Sequence, residues 1–179
     1  MGIYMLSLHN GMFKMIYMLT SFSENTNLLK MNSDLKTFVH RNTTDAEFHD
    51  LMMSDSTDFP TYPGVYVFVS HNQKFVYPNG MSRIIYIGKA ENLKARLSTH
   101  KRHLKELANL PIKEKSINWW YARYHYMSAF GCKVFCFRVK GKQEAKNLEH
   151  KLLSYFYHRY YAMPVGNGAI SNPILRSDE

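Results

Sequence analysis

A chain of 179 residues, 45% hydrophobic and 15% aromatic, can bury one good core and is short for two; its charged fraction of 21% excludes a mainly disordered chain. The formal net charge of +9 is local, because residues 1–60 hold 4 Lys/Arg against 7 Asp/Glu whereas residues 89–160 hold 16 against 5. No apolar run reaches the ~18 to 20 residues that a membrane-spanning helix needs, so a membrane-embedded protein is not expected.

In chain order, the first 20 residues carry a single Lys14 before the short apolar stretch Met15 to Leu19, with no small-residue cleavage site behind it. That makes a poor secretory signal and points to the cytoplasm. Met5, Met12, Met15, Met18 and Met31 leave the start codon open, and the Ser/Asn/Thr clusters at 21–33 read as loop. Residues 1–60 thus read as an N-terminal extension with one short helix at Asp45 to Met53. Pro63-Gly64 then opens a β-branched run, Val65 to Val69, and Ile84 to Ile87 makes a second. With the turn dipeptide Asn79-Gly80 between them, they read as an antiparallel pair joined by a long loop.

Asn92 is a candidate N-cap, and Leu93, Leu97, Leu104 and Leu107 recur at helical spacing, so a helix is expected from there to just before Pro111. The aromatic stretch Ile117 to Tyr126 reads as a strand or an inserted loop. Lys133 to Lys140 reads as a strand, and a last helix, about Gln143 to Tyr160, follows Gly141. The order predicts an α+β fold, β-β-α-β-α, with a small, mainly antiparallel three-stranded sheet flanked by helices. The folded domain is expected at residues 61–168, with a tail at 169–179. Cys132 and Cys136 lie four apart on the expected strand, about 13 Å at ~3.3 Å per residue, too far for a disulfide and a poor zinc clip.

The basic segment is interleaved with aromatics (Trp119, Trp120, Tyr121, Tyr124, Tyr126, Tyr155, Tyr157, Tyr160, Tyr161). Lys and Arg release counterions from phosphates and rings stack on bases, so nucleic acid stands at even odds with an ordinary solvated basic face. On the last helix, at ~100° per residue, Glu149 falls between Leu152 and Leu153, where a leucine belongs. Burying an unpaired carboxylate costs several kcal/mol, so such a group is neutralised, ion-paired or bound to a cation. On the first helix Arg96 and His100 are four apart and project from one side. With Glu149, Tyr66 and Tyr86 they supply an acid, a guanidinium, an imidazole and phenols, parts suited to phosphodiester hydrolysis.

These residues resemble the GIY-YIG nucleases. Gly64-Val65-Tyr66 matches the first motif of that family and Tyr86-Ile87-Gly88 the second. The segment Gly88 to Leu97 is similar to the one ending in the family's catalytic arginine, here Arg96, with a histidine four later at His100. Leu148-Glu149-His150 resembles the region of the metal-binding glutamate, and Asn167 is the best match for a late asparagine. A Gly2-Ile3-Tyr4 also occurs but has no partner strand at family spacing. The gap between Tyr66 and Tyr86 is long, which suggests an enlarged loop adapted for substrate.

The resemblance implies catalytic roles for Tyr66, Tyr86, Arg96, His100 and Glu149. It also implies one divalent metal, Mg2+ or Mn2+, held by Glu149 and substrate phosphate oxygens. Arg96 would grip the scissile phosphate. Tyr66 would receive a proton from water, its pKa depressed by Arg96, Lys89 or the metal, with His100 accepting the phenolic proton in a relay, while Tyr86 orients the water or phosphate. Lys89, Lys94, Lys101, Arg102 and Asn167 are the expected contacts to double-stranded DNA. Compactness favours a type II restriction-like enzyme that reads base edges with the 70–83 loop and the 117–130 segment; palindromic sites would favour a homodimer. A structure-selective repair or phage nuclease, and a non-catalytic DNA-binding module that kept the fold, are the alternatives.

Overall fold

A computed structural model describes residues 46–110 and 122–168 of the chain. The loop-like cluster at 21–33, the N-terminal Gly2-Ile3-Tyr4, the rings Trp119, Trp120 and Tyr121 and the tail 169–179 lie outside the described residues.

Residues 46–53 do not form the expected helix. Ala46–Asp50 is a strand, β1, and it pairs antiparallel with Cys132–Arg138, here β6, with Phe48 opposite Phe135 and their rings 5.2 Å apart. An isolated helix of this length is marginal in water, whereas the open edge of β6 offers backbone partners for the whole segment. Asp50 ends the strand, its carboxylate accepting the N–H groups of Met52 and Met53 at 3.1 Å. A 3-10 turn at Ser56–Asp58 follows, closed by a capping box between Asp55 and Asp58.

The sheet therefore has four strands, not three, in the order β1-β6-β2-β5, where β2 is Gly64–Ser70 and β5 is Ile84–Ala90. All its pairings are antiparallel. Central β2 is buried at every residue, which is why it reads as one continuous apolar run rather than an alternation. The connection between β2 and β5 is a second, two-stranded sheet, β3 (Phe75–Tyr77) and β4 (Gly80–Ser82). Its Tyr77 packs edge-on against Phe156, ring centroids 5.2 Å apart, and Phe75 against Tyr126 and Phe130. Val76 and Met81, paired across the hairpin, are exposed.

Helix α1 (Leu93–Asn109) starts at Asn92, whose side chain accepts the Ala95 N–H at 3.0 Å, and buries Leu93, Leu97, His100, Leu104 and Leu107. The described part of the stretch read as strand or loop, residues 122–126, belongs instead to a helix, α2 (Ala122–Phe130), burying Tyr124 and Met127. Its described part is short, and helical spacing of two buried side chains is a weak local signal. Helix α3 (Lys142–Tyr160) buries Ala145, Leu148, Leu152, Leu153, Phe156 and Tyr160 and ends at Tyr161 in the left-handed conformation. Both cysteines are buried free thiols. No helix among the described residues is long and apolar enough to cross a membrane.

Strand β5 is an edge, and residues 165–168 run beside it. Gly166 N–H donates to Ile85 O at 2.7 Å, Asn167 Oδ1 accepts the Ile87 N–H at 2.9 Å, and Asn167 Nδ2 donates to Ile87 O at 2.8 Å. These bonds occupy edge groups that would otherwise template pairing with another chain.

Candidate active site

The two tripeptides meet across the β2–β5 pairing, where Tyr66 lies opposite Gly88 and Phe68 opposite Tyr86. A side chain at Gly88 would place its Cβ 2.7 Å from the Tyr66 hydroxyl and 2.6 Å from the Tyr86 ring. At Gly64 a Cβ would collide with the carbonyl oxygen of Phe137. Glycine stands in each motif because another group occupies the space a side chain would take.

Tyr66 is 2% exposed and its hydroxyl lies 2.8 Å from His100 Nε2. The Tyr66, Phe68 and Tyr86 rings pack around the imidazole at centroid distances of 5.3, 5.0 and 6.1 Å. Burial pushes the Tyr66 hydroxyl well above its ordinary value, with Tyr86 adding to the rise and Arg96 and Arg123 opposing it more weakly. The expected depression of this group is therefore corrected: nearby cations act in that direction, but desolvation of a phenolate beneath the sheet outweighs them. The same burial, aided by the positive charges of Arg123 and Arg96, pushes His100 down to about 3. At neutral pH the pair is a neutral phenol beside a neutral imidazole.

Glu149 does not sit in the apolar seam as a lone acid. Its side chain is 17% exposed and forms a salt bridge through Oε2 with Lys89 of β5. It lines an open cleft of about 650 Å³ together with Tyr86, Lys89, Arg123, His150 and Asn167. A neighbouring hollow of about 410 Å³ is lined by Lys89, Asn92, Arg96, Thr99 and Lys142. Lys89 borders both. Tyr86, Lys89 and Glu149 thus share one cleft, and Arg96 faces the adjoining hollow, joined to it through Lys89.

Of the other expected DNA contacts, Asn167 lines the cleft and three do not. Lys94, Lys101 and Arg102 line neither hollow. Lys101 Nζ donates to Ser54 O at 2.6 Å and Arg102 pairs with Glu106 at 3.7 Å along the helix. Asn167 reaches the cleft wall, with both polar atoms of its side chain on the Ile87 backbone. Sequence reasoning missed Arg123, whose guanidinium lies 4.4 Å from the centre of the Tyr86 ring, and Tyr124, whose hydroxyl lies 2.9 Å from His100 Nδ1.

Among the described residues no group of three or more His, Cys, Asp and Glu could hold a metal. A single carboxylate on an open cleft, once released from Lys89, suits a hard cation that keeps most of its water or takes ligands from a substrate, and not a closed protein cage.

A sequence profile for the family described as GIY-YIG domain-containing protein matches residues 56–172. The chain belongs to the GIY-YIG family. Among solved structures it is similar to the GIY-YIG N-terminal endonuclease domain of UvrC from Thermotoga maritima, in point mutants bound to a catalytic divalent cation. One matches at 24% identity over 64% of this chain and 91% of that chain, with a TM-score of 0.35. A second matches at 22% identity over 63% and 90%, also with a TM-score of 0.35. No curated protein matches the chain.

Proposed function

We propose that this GIY-YIG chain cuts double-stranded DNA by metal-dependent hydrolysis, with restriction-like recognition of sequence. The observation that carries the reading is the single cleft in which Glu149, Lys89 and Tyr86 stand together above the buried Tyr66 and His100 pair.

A divalent cation, Mg2+ or Mn2+, held by Glu149 and substrate phosphate oxygens, would stabilise the departing 3′ oxygen. Arg96, exposed beside the cleft, grips the scissile phosphate, where its fork of donors meets the charge that grows in the transition state. Lys89 bridges the two hollows and can exchange Glu149 for a phosphate oxygen. Tyr66 is too deeply buried to rest as a phenolate. It serves instead by taking the water's proton on its oxygen as its own proton passes to His100 Nε2. Tyr86, half-buried on the cleft wall with Arg123 over its ring, orients water or phosphate.

The β3–β4 hairpin supports the restriction-like reading, because the insertion between the two motif strands is an ordered element presenting exposed Val76 and Met81. Palindromic recognition would use two copies of the chain. Digestion of unmethylated genomic-scale DNA with Mg2+ or Mn2+, and with a chelator, tests the whole. Discrete bands that vanish with the chelator are expected. A smear would replace sequence recognition by relaxed or structure-selective cutting, and intact DNA with either metal would overturn the proposal.

A further inference from the structure

The hydrogen bonds of His100 do not stop at Tyr66. Its other ring nitrogen, Nδ1, lies 2.9 Å from the Tyr124 hydroxyl, and that hydroxyl lies 2.9 Å from Nδ1 of His103. The three aromatic links at the inner end are buried, Tyr66 at 2%, His100 at 3% and Tyr124 at 6% exposed, whereas His103 is half-buried. Four side chains from β2, α1 and α2 therefore form one continuous chain from Tyr66, whose ring lies 5.9 Å from that of Tyr86 on the cleft wall, to half-buried His103.

We infer that Tyr124 and His103 carry away the proton that Tyr66 takes from the attacking water, so that the site works through a four-membered relay. The inference rests on the nuclease reading and extends it to α2, an element outside the two motifs. Donor and acceptor capacities fit. A phenol donates one hydrogen bond while accepting others, and a neutral imidazole donates from one nitrogen and accepts at the other. With Tyr66 donating to His100 Nε2, His100 Nδ1–H donates to Tyr124, and Tyr124 donates to His103 Nδ1. Each of the three links then has one donor and one acceptor.

The proton count closes along that direction. The water O–H bond breaks as its oxygen bonds to phosphorus and the bond to the 3′ oxygen breaks. The water proton goes to the Tyr66 oxygen, the Tyr66 proton to His100 Nε2, the His100 Nδ1 proton to Tyr124, and the Tyr124 proton to His103 Nδ1. Only His103 ends charged, at the half-buried end, while the departing 3′ oxygen takes a proton from solvent. A proton halted on His100 would face the guanidinium charges of Arg96 and Arg123 in a buried site, which the low basicity of that imidazole expresses. Passing it on moves the charge out of that buried site to the half-buried end of the chain.

The test is single-turnover nicking of supercoiled plasmid by the full chain with Mg2+, alongside DNA affinity and thermal melting, for Tyr124→Phe, His103→Gln, their double variant and His103→Ala. The relay predicts a loss of at least about tenfold in cleavage rate for each single change, with DNA affinity kept. The double variant should be no slower than Tyr124→Phe, because residues acting as one path are not additive. Millimolar imidazole should restore His103→Ala and leave Tyr124→Phe unchanged, a readout that a packing role would not move. Should Tyr124→Phe fail to fold, the partly exposed His103 variants carry the test. Full-rate cleavage by folded variants, additive losses, or no response of His103→Ala to imidazole would overturn the relay. A parent chain that never nicks the plasmid would instead refute the nuclease reading beneath it.

Discussion

Acid should destabilise this fold through one histidine. His100 is buried and held down to about 3, whereas an exposed imidazole in the unfolded chain titrates near ~6.5. Between those values the unfolded chain binds a proton that the folded chain excludes, so stability rises with pH across the window and is lost as pH falls below about 6.5. The limiting slope is about 1.4 kcal/mol per pH unit, and the accumulated loss between pH 7 and pH 5 is about 2 kcal/mol. For a domain of this size that corresponds to a melting shift of roughly 4–8 °C. Thermal or urea unfolding of the parent and of His100→Gln at pH 7, 6 and 5 measures it, since the other histidines contribute alike to both. The parent should lose about 2 kcal/mol more than the variant. Equal pH slopes would refute the assignment of His100 as a buried neutral acceptor.

Three further changes probe the site's construction. Gly88→Ala puts a Cβ 2.7 Å from the Tyr66 hydroxyl, so it should cost about 1–3 kcal/mol in unfolding experiments and slow plasmid cleavage roughly 100-fold; parental values would mean the ring yields freely. Lys89→Met removes the ammonium from Glu149 and should tighten Mn2+ binding by roughly threefold to tenfold, followed by paramagnetic titration, while slowing DNA cleavage; unchanged metal affinity would show that the salt bridge does not compete. Asn167→Ala strips two hydrogen bonds from the Ile87 backbone and should lower unfolding stability by about 1–3 kcal/mol with DNA affinity retained; a selective loss of DNA affinity would make it a DNA contact instead of a structural one.

What the sequence made legible were features whose cause is local. The leucines of α1 recur at helical spacing and all are buried, the Asn92 cap forms, and the two tripeptides fall on neighbouring strands because glycine and tyrosine must face each other there. Strand β1 was not legible, because Ala46–Asp50 becomes a strand through pairing with β6, far along the chain. Nor was the contribution of α2, since nothing near Arg123 and Tyr124 in sequence announces Tyr86 or His100 as their partners. The electrostatic state of Tyr66 reversed for a related reason. Cations near it could be read from sequence, but the depth of burial that outweighs them depends on the rings of Phe68, Tyr86 and His100 around it. Glu149 was legible as an acid needing a counter-charge, and Lys89 supplies it from a different element.

The Glu149 carboxylate is proposed as the protein's hold on a divalent ion needed for cutting DNA. The most direct measurement is plasmid cleavage by Glu149→Ala beside the parent, with Mg2+ or Mn2+ titrated and fold and DNA affinity monitored. Metal-dependent nicking by the parent, and none by a folded variant that still binds DNA, is the predicted result. Cleavage by Glu149→Ala at the parent's rate and metal dependence would contradict the account.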